Sequence, residues 1–263
     1  MEHASRRAAN DDRPAVQAGE PVARIDNARG ASPILLICEH ASNTLPSRYG
    51  TLGLSPSELE SHIAWDPGAL AVAQGLSRLL DAPLIHATVS RLVLDLNRDP
   101  SAPDSITTLS ERTTITGNLD LGPEERALRV REVYDAFHDA VDAFTEARRA
   151  AGQVRAVVSV HSFTPVYRDV RRPWEIGLIF DRDQRFARSV EAGLRQDPAL
   201  TIGMNQPYSP ADRVFHTLER HAERRGLAPL MIEIRNDLIR TEDGQASWSK
   251  RLAPLLREAA RTL

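Results

Sequence analysis

The run Pro33-Ile34-Leu35-Leu36-Ile37-Cys38, followed at once by Glu39-His40-Ala41-Ser42-Asn43, decides the fold class. A short unbroken apolar run is the mark of a strand buried on both faces, and such strands belong to parallel sheets covered by helices. Its abrupt polar ending puts Glu39, His40 and Asn43 where open α/β sheets bind their ligands, beyond the carboxyl ends of the strands. Working outward, residues 44–54 form a loop with Pro46, Gly50 and Gly53. Ser55-Pro56-Ser57-Glu58 then begins a helix, with Ser55 as cap and Pro56 in the first turn. This helix is expected to carry His62 and Asp66, four residues apart and so on one face. Pro67-Gly68 breaks it, and residues 69–80 resume as an amphipathic helix.

Residues 83–86 are a second candidate strand. In Ser90–Pro100, the alternating Leu92, Leu94 and Leu96 predict a strand bracketed by Arg91 on one side and Asn97-Arg98 on the other. Residues 101–121, rich in Ser, Thr, Pro and Asp without a period, suggest a lid or substrate loop. Between 123 and 150, Ala127, Val130, Val133, Tyr134, Phe137, Ala140, Val141 and Phe144 fall on one helical stripe. His138 lies beside that stripe as a partly buried helix histidine. Strands are expected at 154–160, ending in His161-Ser162, at 176–180, and at 230–234 with Glu233 inside. Helices are expected at 183–194, 210–225 and from 245 onward. The alternation indicates one α/β domain over residues 21–263, with a mostly parallel central sheet and helices on both faces. Residues 1–20 read as a frayed tail.

Composition narrows the function. A net charge of −3 argues against nucleic acid as the main partner, because phosphate binding needs a basic excess. The lone Cys38 excludes an intramolecular disulfide and fits a reducing, cytoplasmic setting. No apolar run approaches the roughly 18 residues of a membrane span. A monomer or homodimer is expected.

The chemistry-bearing residues cluster at strand ends. Neighbouring strands lie about 4.8 Å apart, so His40 and His161 can converge on one cation, with a carboxylate completing the three protein ligands of a catalytic zinc site. The alternative for each is a hydrogen-bonded structural histidine. Arg91 and Arg98, with Asn97 between them, offer the donors that grip a carboxylate, and Asp95 can hold an arginine in place. Glu233, inside an apolar strand, either pairs with Arg235 or sits in a cleft as a base.

Five blocks in the same order resemble the N-formylglutamate amidohydrolase family: Cys38-Glu39-His40-Ala41-Ser42-Asn43, His62-Ile63-Ala64-Trp65-Asp66, Ser90-Arg91 through Asp95-Leu96-Asn97-Arg98, Val160-His161-Ser162-Phe163 and Ile232-Glu233-Ile234-Arg235. That family is similar in turn to zinc carboxypeptidases and aspartoacylases, which implies a zinc-carboxypeptidase-like fold. The resemblance implies His40 and His161 as metal ligands and Glu233 as general base. It further implies Arg91 beside the scissile carbonyl, Asn97 and Arg98 on the substrate α-carboxylate, and Asp95 supporting the arginines. The related enzymes carry a glutamate ligand three residues after the first histidine, where this chain has Asn43. Asp66 is the expected replacement, with His62 or Glu39 next. Arg235, Arg168 or Arg171-Arg172 would meet a second substrate carboxylate. The expected activity is zinc-dependent hydrolysis of an N-formyl or short N-acyl amide of an acidic amino acid. A zinc exopeptidase acting on small peptides and a metal-free module binding anionic metabolites are the alternatives.

Overall fold

The computed structural model describes residues 21–263, and the expected tail at 1–20 lies outside the described residues. Eleven strands are present among them: β1 (Ala23–Asp26), β2 (Ile34–Cys38), β3 (Leu84–Ala87), β4 (Leu109–Ser110), β5 (Thr113–Thr114), β6 (Ala156–Phe163), β7 (Val166–Tyr167), β8 (Val170–Arg171), β9 (Ile176–Ile179), β10 (Ile202–Met204) and β11 (Ala228–Arg235). The helices are α1 (Pro56–Glu60), α2 (Ala69–Leu80), α3 (Pro123–Arg129), α4 (Ala136–Ala150), α5 (Arg185–Leu194), α6 (His216–His221) and α7 (Glu242–Arg261). Seven strands form one sheet in the order β1-β3-β2-β6-β11-β9-β10. The central run β3-β2-β6-β11 is parallel throughout. β1 joins it antiparallel to β3, and β9 antiparallel to β11 with β10 parallel to β9. The sheet is thus mixed but mostly parallel, in a single α/β domain. β4–β5 and β7–β8 are two separate two-stranded ribbons.

Period-two alternation in the central strands divides the core into layers. Leu36, Cys38, Val158, Val160, Leu230 and Ile232 face one way and pack against α2, α5 and α7. Leu35, Ile37, Val157 and Met231 face the other way, toward Phe137 and Val141 of α4 and Leu218 of α6. On this second face the strands change character near their carboxyl ends: two residues beyond Val157, Ile37 and Met231 stand Ser159, Glu39 and Glu233.

Four expectations are corrected. Residues 91–97 are not a strand: they fold in turns although Leu92, Val93, Leu94 and Leu96 are all buried. Short polar side chains capture the backbone here, as Leu92 N–H donates to Ser90 Oγ and Asn97 N–H to Asp95 Oδ1, a competition that Ser and Asp regularly win against a ladder. The helix at 55 stops at Glu60, so His62 and Asp66 are not helical and share no helix face. The region 210–225 is the short α6 flanked by single 3₁₀ turns rather than one helix. The lid segment contains the β4–β5 ribbon; β7, β8 and β10 were too short to signal in sequence, and β1, with its two middle residues exposed, carries no apolar run. The 123–150 helix is continuous, with a π-helical stretch at Val130–Asp135.

Candidate active site

His40 lies two residues beyond the end of β2, and His161 lies within β6 rather than after it; their rings meet edge to face with centroids 4.8 Å apart. Asp66 arrives on the turn between α1 and α2, where its N–H donates to the His40 carbonyl at 2.9 Å. Its Oδ2 lies 2.8 Å from His161 Nδ1 and 3.4 Å from His40 Nδ1. Ligand atoms of these three buried side chains lie within 4.8 Å of one another. Tetrahedral zinc, with bonds of about 2.0–2.1 Å, separates its ligand atoms by about 3.3 Å. His40 Nδ1 is buried without a hydrogen-bond partner among the described residues. Two imidazoles and a carboxylate are therefore a fitting donor set for a divalent cation.

The opposite ring nitrogens are held from behind. His40 Nε2 lies 2.7 Å from Asp95 Oδ1. His161 Nε2 lies 2.7 Å from Ser159 Oγ, whose hydroxyl donates to Glu39 Oε2 at 2.7 Å. His161 Nε2 therefore carries the proton on that side, and Nδ1 is the atom turned to Asp66. Metal-binding imidazoles are fixed in tautomer and direction by this kind of partner. Of the other third-ligand candidates, Glu39 is behind His161, His62 faces Glu111 at 3.2 Å, and the Asn43 amide donates to the Leu59 carbonyl. None of these three joins the cluster.

The charges are strongly coupled. Burial opposes protonation of His161, yet Glu39 and Asp66 outweigh it and lift its pKa well above the ordinary imidazole value. Burial and Arg91 oppose protonation of His40 as well, and Asp95 and Asp66 raise it. Against the upward push of burial, His161 and Ser159 hold Glu39 down to about 2. Asp66 and Asp95 also fall below the usual carboxylate range despite burial, the first through His40 and His161, the second through Arg91 and His40. Glu233 moves the other way: burial raises it to about 7 although His161 pulls against it. Its Oε2 is buried without a hydrogen-bond partner among the described residues.

A cavity of about 310 Å³ is lined by His40, Asp66, His161, Glu233, Arg91, Asp95, Asn97 and Arg98 together. Asp95 is their hub, accepting from Arg91 Nη2 at 2.7 Å and from the Asn97 N–H at 2.9 Å besides meeting His40. Arg91 also reaches Asp66 Oδ1 at 3.4 Å. Arg98 donates to the Asp212 carbonyl, and the Asn97 carboxamide is held by the Val214 carbonyl and the Thr217 N–H. Arg235 is not brought to the cavity: Glu175 and Asp237 take its guanidinium at 3.2 and 2.8 Å. Arg168 does line the rim, with Tyr167 beside it and Glu111 from the other ribbon.

Sequence reasoning missed Ser159 and Tyr208. Ser159 was legible as the same-face neighbour two residues before His161. Tyr208, at the cavity wall, accepts from Arg172 Nη1 at 3.1 Å, and burial and Glu233 push its phenol up to about 12. It comes from a loop whose approach to the site depends on long-range packing and leaves no local signal.

A donor set able to hold a divalent cation, beside a buried carboxyl able to accept a proton, is the equipment of a hydrolase. The sequence profile of the N-formylglutamate amidohydrolase family matches residues 32–240, and the chain belongs to that family. Among solved structures, the gene product Atu2144 from Agrobacterium tumefaciens is 46% identical over 92% of this chain and 96% of its own, with a TM-score of 0.90. The N-formylglutamate amidohydrolase from Ralstonia eutropha JMP134 shares the fold at 22% identity over 92% and 97%, with a TM-score of 0.63. No curated protein matches. No helix among the described residues is long and apolar enough to cross a membrane.

Proposed function

We propose that this protein hydrolyses the amide of an N-formyl or short N-acyl acidic amino acid, N-formylglutamate being the representative substrate, with zinc held by His40, Asp66 and His161. The observation that carries the reading is the convergence of those three donors in one small cavity with Glu233 and the Arg91/Arg98 pair. Bound there, the cation supplies Lewis acidity, lowering the pKa of water toward neutrality and polarising the amide oxygen.

Glu233, poised near neutrality, takes a proton from the attacking water and returns it to the departing amine. Arg91, fixed by Asp95 and Asp66, supplies positive charge where the amide oxygen becomes anionic, a contribution of a few kcal/mol for a well-placed donor. Arg98, with the remaining N–H of Asn97, holds the α-carboxylate and so fixes the acyl carbon within reach of attack. For a second substrate carboxylate, Arg168 at the rim is better placed than Arg235, whose charge is already spent on two acids. The products are a short carboxylic acid and a free amino acid.

The test is amino acid release from N-formyl-L-glutamate, N-acetyl-L-glutamate and a dipeptide panel, using zinc-loaded protein. Preferred cleavage of the N-acyl glutamates supports the reading, and preference for dipeptides contradicts it.

A further inference from the structure

Behind the Asn97-Arg98 segment, on the side away from the cavity, two fully buried histidines form a chain that reaches it. His138 of α4 lies with Nε2 2.9 Å from the Leu96 carbonyl and Nδ1 2.7 Å from Nε2 of His221 on α6. The two rings are stacked at 5.0 Å with planes 13° apart. His221 Nδ1 stands 2.9 Å from Asp142 Oδ1. Around the pair are Tyr134, whose ring lies 4.2 Å from that of His138, His216 at 5.7 Å, and Arg220 and Arg225, both paired with Asp142.

A carbonyl can only accept, so the proton in the Leu96 contact belongs to His138 Nε2. A neutral His138 must then accept at Nδ1, which puts the proton of the next contact on His221 Nε2. Burial, His221 and Arg220 lower His138 to about 3; burial, with Arg220 opposing Asp142, lowers His221 to about 4. His138 is accordingly neutral at pH 7, and the direction of both its hydrogen bonds is set.

We propose that His138 and His221 are positioning residues for substrate, holding the Leu96 carbonyl so that Asn97 and Arg98 present their donors to the α-carboxylate. The inference rests on the role given to Asn97 and Arg98 above. Among the described residues the Leu96 carbonyl receives otherwise only the 3.5 Å contact from Thr217 Oγ1. Thr217 also holds the Asn97 carboxamide through its N–H at 3.0 Å, so α4 grips Leu96 while α6 grips Leu96 and Asn97 together. The cavity side of this segment meets substrate, and its core side meets the histidines. Loss of the pair therefore shifts substrate binding before it touches Glu233 or the cation site.

The experiment combines imidazole ¹⁵N NMR on the wild-type protein with kinetics of His138→Leu and His138→Gln. Gln can place an N–H near the former Nε2, whereas Leu cannot. NMR is expected to show His138 as the Nε2–H tautomer at pH 7, with Nδ1 unprotonated and accepting from His221 Nε2. His138→Leu is expected to raise KM for N-formyl-L-glutamate and Kd for L-glutamate by about tenfold, with kcat within about twofold, and His138→Gln is expected to recover most of that loss. An Nδ1–H tautomer at His138 overturns the proposal without need of any variant. So does a His138→Leu protein that folds and keeps its KM and Kd, or one whose kcat falls as far as KM rises. Absence of turnover in the wild type would instead contradict the hydrolase reading, while Kd for L-glutamate and the tautomers still test the clamp.

Discussion

His161 and Glu233 are direct register partners on the adjacent parallel strands β6 and β11. A proposed cation ligand and a proposed base thus stand side by side at the same height of the sheet, about 4.8 Å apart in backbone, on two of its central strands. Neither depends on a loop to find the other. Glu233→Gln is expected to lower kcat by about 10²–10⁴-fold while leaving zinc content and thermal stability near the wild-type values. Buried Glu233 loses its proton only near pH 7, and a cation beside it lowers that point. The rate should therefore climb with pH through a limb centred at or below 7, and this limb should vanish in the variant. An unchanged pH profile in Glu233→Gln would remove it from the mechanism.

Asp95 touches His40, Arg91 and the backbone of Asn97 at once. Asp95→Asn keeps the shape and discards the charge. Zinc affinity is expected to fall by about 10–100-fold, as when the partner of a ligating imidazole is lost. The KM should rise as well, because Arg91 loses its anchor. Competitive zinc titration against a chelator, run beside steady-state kinetics, reads both effects.

Proton release should accompany metal uptake. His161 and His40 both have raised pKa values in the metal-free fold, so each holds a proton above the ordinary imidazole range. A cation can bind Nδ1 only when that proton leaves. Zinc affinity must then increase with rising pH until the solution passes those raised values. Calorimetry in buffers of different ionisation enthalpy counts the protons, and a count of zero across pH 6–8 would contradict the coupling.

Glu233 also needs an empty place beside it. Its partner on β9 is Gly177, where an added Cβ would stand 2.1 Å from the Gln206 carbonyl oxygen and 3.3 Å from Glu233 Cβ. Gly177→Ala must push backbone aside, at a cost of about 1–3 kcal/mol of stability. Denaturant unfolding should show that loss together with reduced turnover. Wild-type stability would mean that the Gln206 loop yields freely.

The buried strand at 34–38, the helices at 69–80 and 123–150, and Glu233 within its strand were legible because length and period alone specify them. His40 and His161 were legible as strand-end imidazoles able to converge, whereas Asp66 entered only through the family resemblance, since its place depends on a turn after α1 that leaves no periodic trace. The stretch at 91–97 misled because its leucines alternate like a strand, while burial surrounds it on all sides and leaves the polar residues to dictate turns. Arg235 looked free in sequence, yet Glu175, sixty residues earlier, takes its charge. Such pairings become visible only once the chain is folded.

Zinc-edge X-ray absorption on zinc-reconstituted protein, compared with Asp66→Asn, bears most directly on the central claim. One zinc per chain with scattering from two imidazoles and a carboxylate oxygen is the expected result, with stoichiometric binding lost in the variant. Zinc that fails to bind stoichiometrically, or a spectrum showing fewer than two imidazoles, would contradict it.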